Sequence, residues 1–443
     1  MTPEGVPPTL RHPGALRFWL AVVLTAMGTG MAAAGLTRLL EWVQHVMWNG
    51  SGTKLLEAAT HASAGRRVTV LLCAGLTTAL GQLLLRHVSS GNGIDTTEAI
   101  SFYAGRMPAL RTLWSAVLST FIVAMGTSLG REGAPKQVGA VLANFFSDRG
   151  RLPDEQRRLL VACGAGAGMA AAYGVPLGGA MFSLEVMRGA LALRSVLPAL
   201  VTSLVAAAVA WLFLPDAAPY MIPAYASSAS VVVWALLAGP VAGVVSVAYV
   251  RLIRRADHDK PHNWRRMVAP IVVLGGIGVV SIWFPQVLGN GKDVSQLAFT
   301  GQVAPLLLLI LFVLRPMATL LCVRSGAPGG LFTPSLTVGA MLGGALGYAW
   351  SLVWPGVPPG LFAVLGAAAV LGATTQGPIS SVILMIELTG RDRSLILPLL
   401  LIVCTATLVA RTIEPRSIYD ARLTDEQVAA RRGGVPGAYL TRS

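Results

Sequence analysis

Apolar residues run along this chain in long blocks, over residues 18–40, 68–85, 113–125, 159–172, 196–214, 231–252, 268–283, 305–323, 336–353, 361–373 and 395–409. A helix needs about 20 apolar residues to cross the hydrocarbon core of a bilayer, and several blocks approach that length. Others are shorter or interrupted by Gly and Pro. The pattern predicts an all-α polytopic membrane protein. Its first membrane helix begins after Arg11 and Arg17 and runs too long to be a cleavable signal.

Composition agrees. Of 443 residues, 54% are hydrophobic and 12% are charged, against about 25% charged in an ordinary soluble domain. A net charge of +14 would otherwise suggest nucleic acid. Here it reads as the Lys and Arg excess that cytoplasmic loops carry, and no nucleic-acid partner is expected. Basic residues gather at the N-terminus, in RLIRRADHDKPHNWRR (251–266) and after Arg411, which places these segments and both termini in the cytoplasm. Cys73, Cys163, Cys322 and Cys404 sit singly in apolar blocks, as packing residues without metal or disulfide spacing. His258 and His262 are separated by the helix-breaking Pro261, and no carboxylate or cysteine completes a zinc set. No metal or cofactor site is expected. The histidine distribution also argues against an intramembrane hydrolase.

Three landmarks occur twice in the same order. GNGID (91–95) is matched by GNGKD (289–293), GREGAPKQVGA (130–140) by GLFTPSLTVGA (330–340), and PLGGAMFSLEVMRG (176–189) by PISSVILMIELTG (378–390). Their offsets of 198, 200 and 202 residues predict two structurally repeated halves, residues 1–220 and 221–443, joined near the polar stretch 215–230.

The second pair carries the chemistry. Arg131 and Glu132 stand where the other half has Leu331 and Phe332. A charge at membrane depth costs roughly 2.5–3.5 kcal/mol on insertion scales, so the pair marks a transport path or proton site rather than a packing motif. Asp95 carries the same argument more weakly. CGAGAGMAAAYG (163–174) and GGALG (343–347) are different: they lack the strand and acidic residue of a dinucleotide loop, and small residues that let helices approach explain them. Gly-bracketed turns that open helices present unpaired N–H groups and a partial positive charge, which suits an anion without a full cation.

These motifs resemble those of the CLC family of chloride channels and chloride/proton antiporters, whose signatures are GSGIP, GREGP, GxFxP and a late tyrosine. The corresponding segments here are GNGID at 91–95, GREGA at 130–134, GLFTP at 330–334 and Tyr419 in RSIYDARL, and the likeness covers nearly the whole membrane chain. The resemblance implies a fold of two inverted-topology repeats with broken helices meeting at a midplane anion site, and a homodimer with one pore per subunit. It implies an anion cradle from Asn92, Gly93, Ile94, Gly133, Ala134, Leu331, Phe332, Thr333 and Tyr419, with Glu132 as gate and proton carrier. A deprotonated glutamate occupies the anion's place, and a protonated one swings away. Tyr419 has an alternative as an interfacial anchor. Arg131 and Lys136 are expected to tune the field and hold the helix end. The cytoplasmic regulatory domains of many eukaryotic relatives are expected to be absent.

Departures from the family pattern set the expected subtype. Asn92 and Asp95 replace the Ser and Pro of GSGIP, Ala134 replaces the Pro of GREGP, and Val186 stands where antiporters place an internal proton-transfer acid. Val186 alone suits a channel. Together the changes resemble the bacterial fluoride branch, and an Asn amide offers two N–H donors to a strongly hydrated anion where Ser offers one O–H. Asn92 has an alternative as a helix cap. Asp95 is expected to cap a helix, repel anions or guide protons; Glu185 and Glu387 are expected to pair with helix ends or basic residues. The sequence reading is a proton-coupled fluoride exporter of a bacterial inner membrane, conferring fluoride resistance. The alternative is a chloride channel or chloride/proton antiporter of the same fold.

Overall fold

In the computed structural model, the described residues are 5–7, 10–48, 54–88, 95–390, 395–421 and 423–432. Their regular structure is helical. The first half holds α1 (Ala15–Trp48), α2 (Leu55–His61), α3 (Ala64–Val88), α4 (Thr96–Phe102), α5 (Ala109–Ala124), α6 (Gly133–Arg149), α7 (Asp154–Tyr173), α8 (Pro176–Met181) and α9 (Leu193–Trp211). The second holds α10 (Ala229–His258), α11 (Arg265–Val280), α12 (Lys292–Phe299), α13 (Pro305–Ser325), α14 (Phe332–Val353), α15 (Pro359–Thr375), α16 (Pro378–Thr389) and α17 (Ile396–Ile413), followed by α18 (Asp425–Arg432). Among the described residues, seven helical spans are long and apolar enough to cross a membrane.

The shorter apolar blocks have another use. Every residue from Gly360 to Thr375 of α15 is buried, as is every residue from Leu159 to Tyr173 of α7. A helix that is apolar all round belongs in the centre of a protein. These two are core helices, wrapped by longer ones that face outward. Proline opens α8, α13, α15 and α16, where its missing N–H costs nothing.

Packing repeats as the motifs do. α6 lies on α7 and α14 on α15; α9 packs on α1 and α7, and α17 on α10 and α15. In each half one glycine pair brings two helices into backbone contact. A Cβ on Gly139 would strike the Gly164 carbonyl, and one on Gly339 would strike the Gly366 carbonyl. The chain segments just before α6 and α14 are bridged at Gly130 and Gly330, so the two helices start close together.

The halves also cap each other. The Glu185 carboxylate accepts from Ile379 N at 3.1 Å, Ser380 N at 2.6 Å and Ser380 Oγ at 2.7 Å, at the start of α16. Glu387 accepts from Leu177 N at 3.0 Å and Gly178 N at 2.6 Å, at the start of α8. Each glutamate thus satisfies the open N–H groups and positive end of the opposite half's helix.

Replacing Gly139 by Val forces α6 off α7, and overpacking of this kind costs about 1–3 kcal/mol. Gly139→Val is expected to lower the thermal midpoint of the detergent-solubilised protein by several degrees. Gly276→Val, whose added Cβ meets open space, is expected to leave it unchanged. Equal midpoints for the two variants would show that the α6–α7 contact does not limit stability.

Candidate functional site

The loops leading into α6 and α14 meet in one antiparallel bridge. Gly130 N–H donates to the Gly330 carbonyl at 2.7 Å, and Gly330 N–H to the Gly130 carbonyl at 2.8 Å. A Cβ on either glycine would collide with the Glu132 carboxylate, so the bridge admits no side chain at these positions.

Glu132 stands at the N-cap of α6 but does not cap its own helix. Its carboxylate crosses to the start of α14. Oε1 accepts from Phe332 N at 2.7 Å and Thr333 N at 3.4 Å; Oε2 accepts from Thr333 Oγ1 at 3.0 Å and Tyr173 Oη at 3.1 Å. The two hydroxyls are themselves 2.7 Å apart. Only 2% of Glu132 is exposed, and among the described residues no Lys, Arg or His lies within ion-pair distance of its carboxylate. Burying a lone carboxylate costs several kcal/mol unless donors replace its water. Here backbone amides, two hydroxyls and the positive end of a helix do so. The cradle is chemically an anion site, filled by the protein's own carboxylate.

Tyr173 was not expected. It ends α7 just before Gly174, whose left-handed φ of 67° turns the chain and leaves the ring facing Glu132 and Phe332. In the sequence it closes a run of small residues that reads as a packing motif. The available signal was its position, a lone hydroxyl at the break before PLGG. Arg131 stacks on its ring at 4.8 Å and donates Nη2 to the Ala172 carbonyl at 3.4 Å.

Leu331 is the N-cap of α14, and Gly133 faces the Gly330 backbone closely enough that a Cβ would crowd it. Ala134 is buried against Ala116 of α5 and against Val138. Tyr419 lies on a 3₁₀ turn over Ile418–Asp420, edge-on to Phe182 at 5.5 Å, with the Lys136 ammonium 4.5 Å from its ring centre. Its hydroxyl is buried and has no hydrogen-bond partner among the described residues. No hydrogen bond joins it to Glu132. Asp95 caps α4, accepting from Thr97 N at 3.0 Å. Val186 sits in a π-helical turn over Phe182–Arg188, buried, with its carbonyl taken by Arg431 Nη2 at 2.9 Å. Asn92, Gly93 and Ile94 lie outside the described residues.

A family model described as voltage gated chloride channel matches residues 69–411. The H(+)/Cl(-) exchange transporter ClcA of Salmonella paratyphi A is 30% identical over 97% of this chain and 94% of its own. Its counterpart in Salmonella schwarzengrund matches to the same extent. Among solved structures, a slow cyanobacterial Cl-/H+ antiporter superposes with a TM-score of 0.81 at 22% identity, covering 94% of this chain and 98% of that one. A CLC-type fluoride/proton antiporter superposes at 0.71 with 21% identity, covering 91% and 98%.

A hydrogen bond to a charged group contributes about 1.5–3 kcal/mol. Tyr173→Phe is therefore expected to loosen Glu132, so that crystallographic density for its carboxylate divides between the cradle and a second position. Tyr225→Phe, remote from the cradle, is expected to leave one position. A single, fully occupied Glu132 in Tyr173→Phe would show that the amides of α14 suffice.

Proposed function

The chain belongs to the voltage-gated chloride channel family, and on that footing we propose that it exchanges chloride for protons across a membrane, with Glu132 as gate and proton carrier. Membership makes it a multi-pass membrane transporter or channel, not an enzyme. The observation that carries the proposal is the Glu132 carboxylate on the amides of Phe332 and Thr333. A carboxylate and a chloride ion compete for the same donors. Protonation removes the charge that lets the carboxylate win, so anion entry and proton uptake fall on one residue. The open Tyr419 hydroxyl is assigned to the anion on the far side of this gate, with the backbone around Phe332 as the rest of its cradle.

The basic segment 251–266 spans the last turns of α10 and the start of α11, and α1 starts beside Arg11 and Arg17. The excess of Lys and Arg puts these ends in the cytoplasm. The ends of α1 and α9 near Arg131 then face outward, both termini are cytoplasmic, and the membrane is a bacterial inner membrane. A homodimer with one pore per subunit completes the reading.

Fluoride/proton exchange is the second reading. It is favoured by Ala134 in place of the GREGP proline, by Val186 in place of the internal acid, and by Asn92 in the first motif. The likeness to chloride/proton exchangers, over nearly the whole chain and at the higher TM-score, supports chloride first.

Proteoliposomes with a chloride or fluoride gradient, voltage set by a potassium ionophore and internal pH recorded, separate these readings. Chloride efflux is expected to drive protons uphill. Glu132→Gln is expected to keep anion flux while proton movement falls below detection. Flux of fluoride but little chloride would select the second reading. Chloride flux with no proton movement in the unmodified protein would make it a channel.

A further inference from the structure

On the Arg131 side of the gate lies a polar cavity of about 380 Å³, walled by the ends of α1 and α9, the 215–219 segment and the start of α12. Tyr173 forms part of its wall and hydrogen-bonds Glu132 at 3.1 Å, so the cavity abuts the gate. Four charged residues line it: Glu41, Arg131, Lys292 and Asp293.

The charges balance by number but not by availability. Glu41 is held by Arg38 at 3.3 Å. Asp293 accepts from Leu56 N at 2.9 Å, in the first turn of α2. The cations are less committed. Arg131 reaches one carbonyl and one ring, and its Nε is buried with no hydrogen-bond partner among the described residues. Lys292 opens α12 with its backbone N–H on Asn290 Oδ1 at 3.0 Å, while no ion pair or hydrogen bond holds its ammonium among the described residues. The repeated GNGKD landmark, which the gate does not use, is what delivers this lysine to the cavity.

We infer that Arg131 and Lys292 form a second anion site in this cavity, which loads a small monovalent anion of the halide class before it meets Glu132. The inference rests on the anion-transport reading and adds a capture step to it. The gate's cradle is built from amides and hydroxyls; this site is built from full cations with spare donors. Two cations with unused donors offer an anion charge-assisted hydrogen bonds ahead of the narrow path, although the cavity also holds Glu41 and Asp293.

The site has a pH handle. α12 is outside the seven candidate spans, and burial, then the nearby Arg131, push the Lys292 ammonium down to about 8 against the opposing pull of Asp293 and Glu41. The Arg315 guanidinium beneath Gly291 adds to the positive field. Lys292 is charged below that value and neutral above it, so the site weakens as pH rises.

Bromide serves as the probe. Anomalous diffraction from bromide-soaked crystals is expected to place an ion between Arg131 and Lys292, and to lose it in Lys292→Met. In proteoliposomes, Lys292→Met is expected to raise the half-saturating bromide concentration on the cavity side about tenfold, the low end of what charge focusing supplies, and to leave the opposite side unchanged. Raising the pH of the soak from about 7 to about 9 is expected to weaken the bromide density between Arg131 and Lys292 in the unmodified protein but not in Lys292→Arg, whose charge does not titrate there. An empty cavity together with unaltered half-saturation in Lys292→Met overturns the inference, even where coupled flux is intact. Bromide density that depends on Lys292, in a protein without anion flux, upholds the site and instead overturns the transport reading.

Discussion

A buried carboxylate with no ion-pair partner among the described residues sets the terms for the rest of the molecule. Glu132 is held by amides and hydroxyls at the start of α14. Such donors stabilise an anion without binding it so tightly that it cannot leave. Two loops must approach at backbone distance to bring those amides within reach, and the Gly130–Gly330 bridge is that approach. Both glycines are required because the carboxylate fills the space where their side chains would lie. A lysine at the same point would hold an anion by charge alone, at a depth where a charge is itself expensive.

That geometry needs two helices starting close together inside the protein, which leaves helix ends to be satisfied away from water. Glu132 closes the start of α14, and the same device recurs at α16 and α8. Glu185 and Glu387 each close the start of a helix in the opposite half, so the halves are joined by the same kind of contact that builds the site. The glycine contacts between α6 and α7 and between α14 and α15 then fix the direction in which each site helix leaves the centre. Packing and chemistry thus share a rule: a carboxylate is set on the helix end of the other half.

Much of this is legible in the sequence because the causes are local. Apolar blocks mark the helices, and the regular offset between landmarks marks the repeat. The cost of Arg131 and Glu132 at membrane depth marks the site. Pairing of Glu185 and Glu387 with helix ends was an expectation, and the partner lying in the opposite half is the structure's addition. Tyr173 was hidden for a physical reason: its role depends on the turn at Gly174 and on Thr333, 160 residues away in the chain. The core position of α7 and α15 was hidden as well, since an apolar block does not record whether lipid or protein surrounds it. Lys292 was visible in GNGKD but carried no meaning until the cavity placed it beside Arg131.

Val186 poses the sharpest question about coupling. The carboxylates near it are engaged: Glu185 caps α16, and Asp420 is bound by Arg431 and Ser417. Arg431 also takes the Val186 carbonyl, tying this turn to α18. On the proposed reading the link lies in the cradle itself, which holds either the Glu132 carboxylate or a free anion. By linkage, an anion in the cradle favours protonation of the displaced carboxylate, and protonation favours the anion by the same factor. That reciprocity needs one shared set of donors, whatever route the proton takes past Val186.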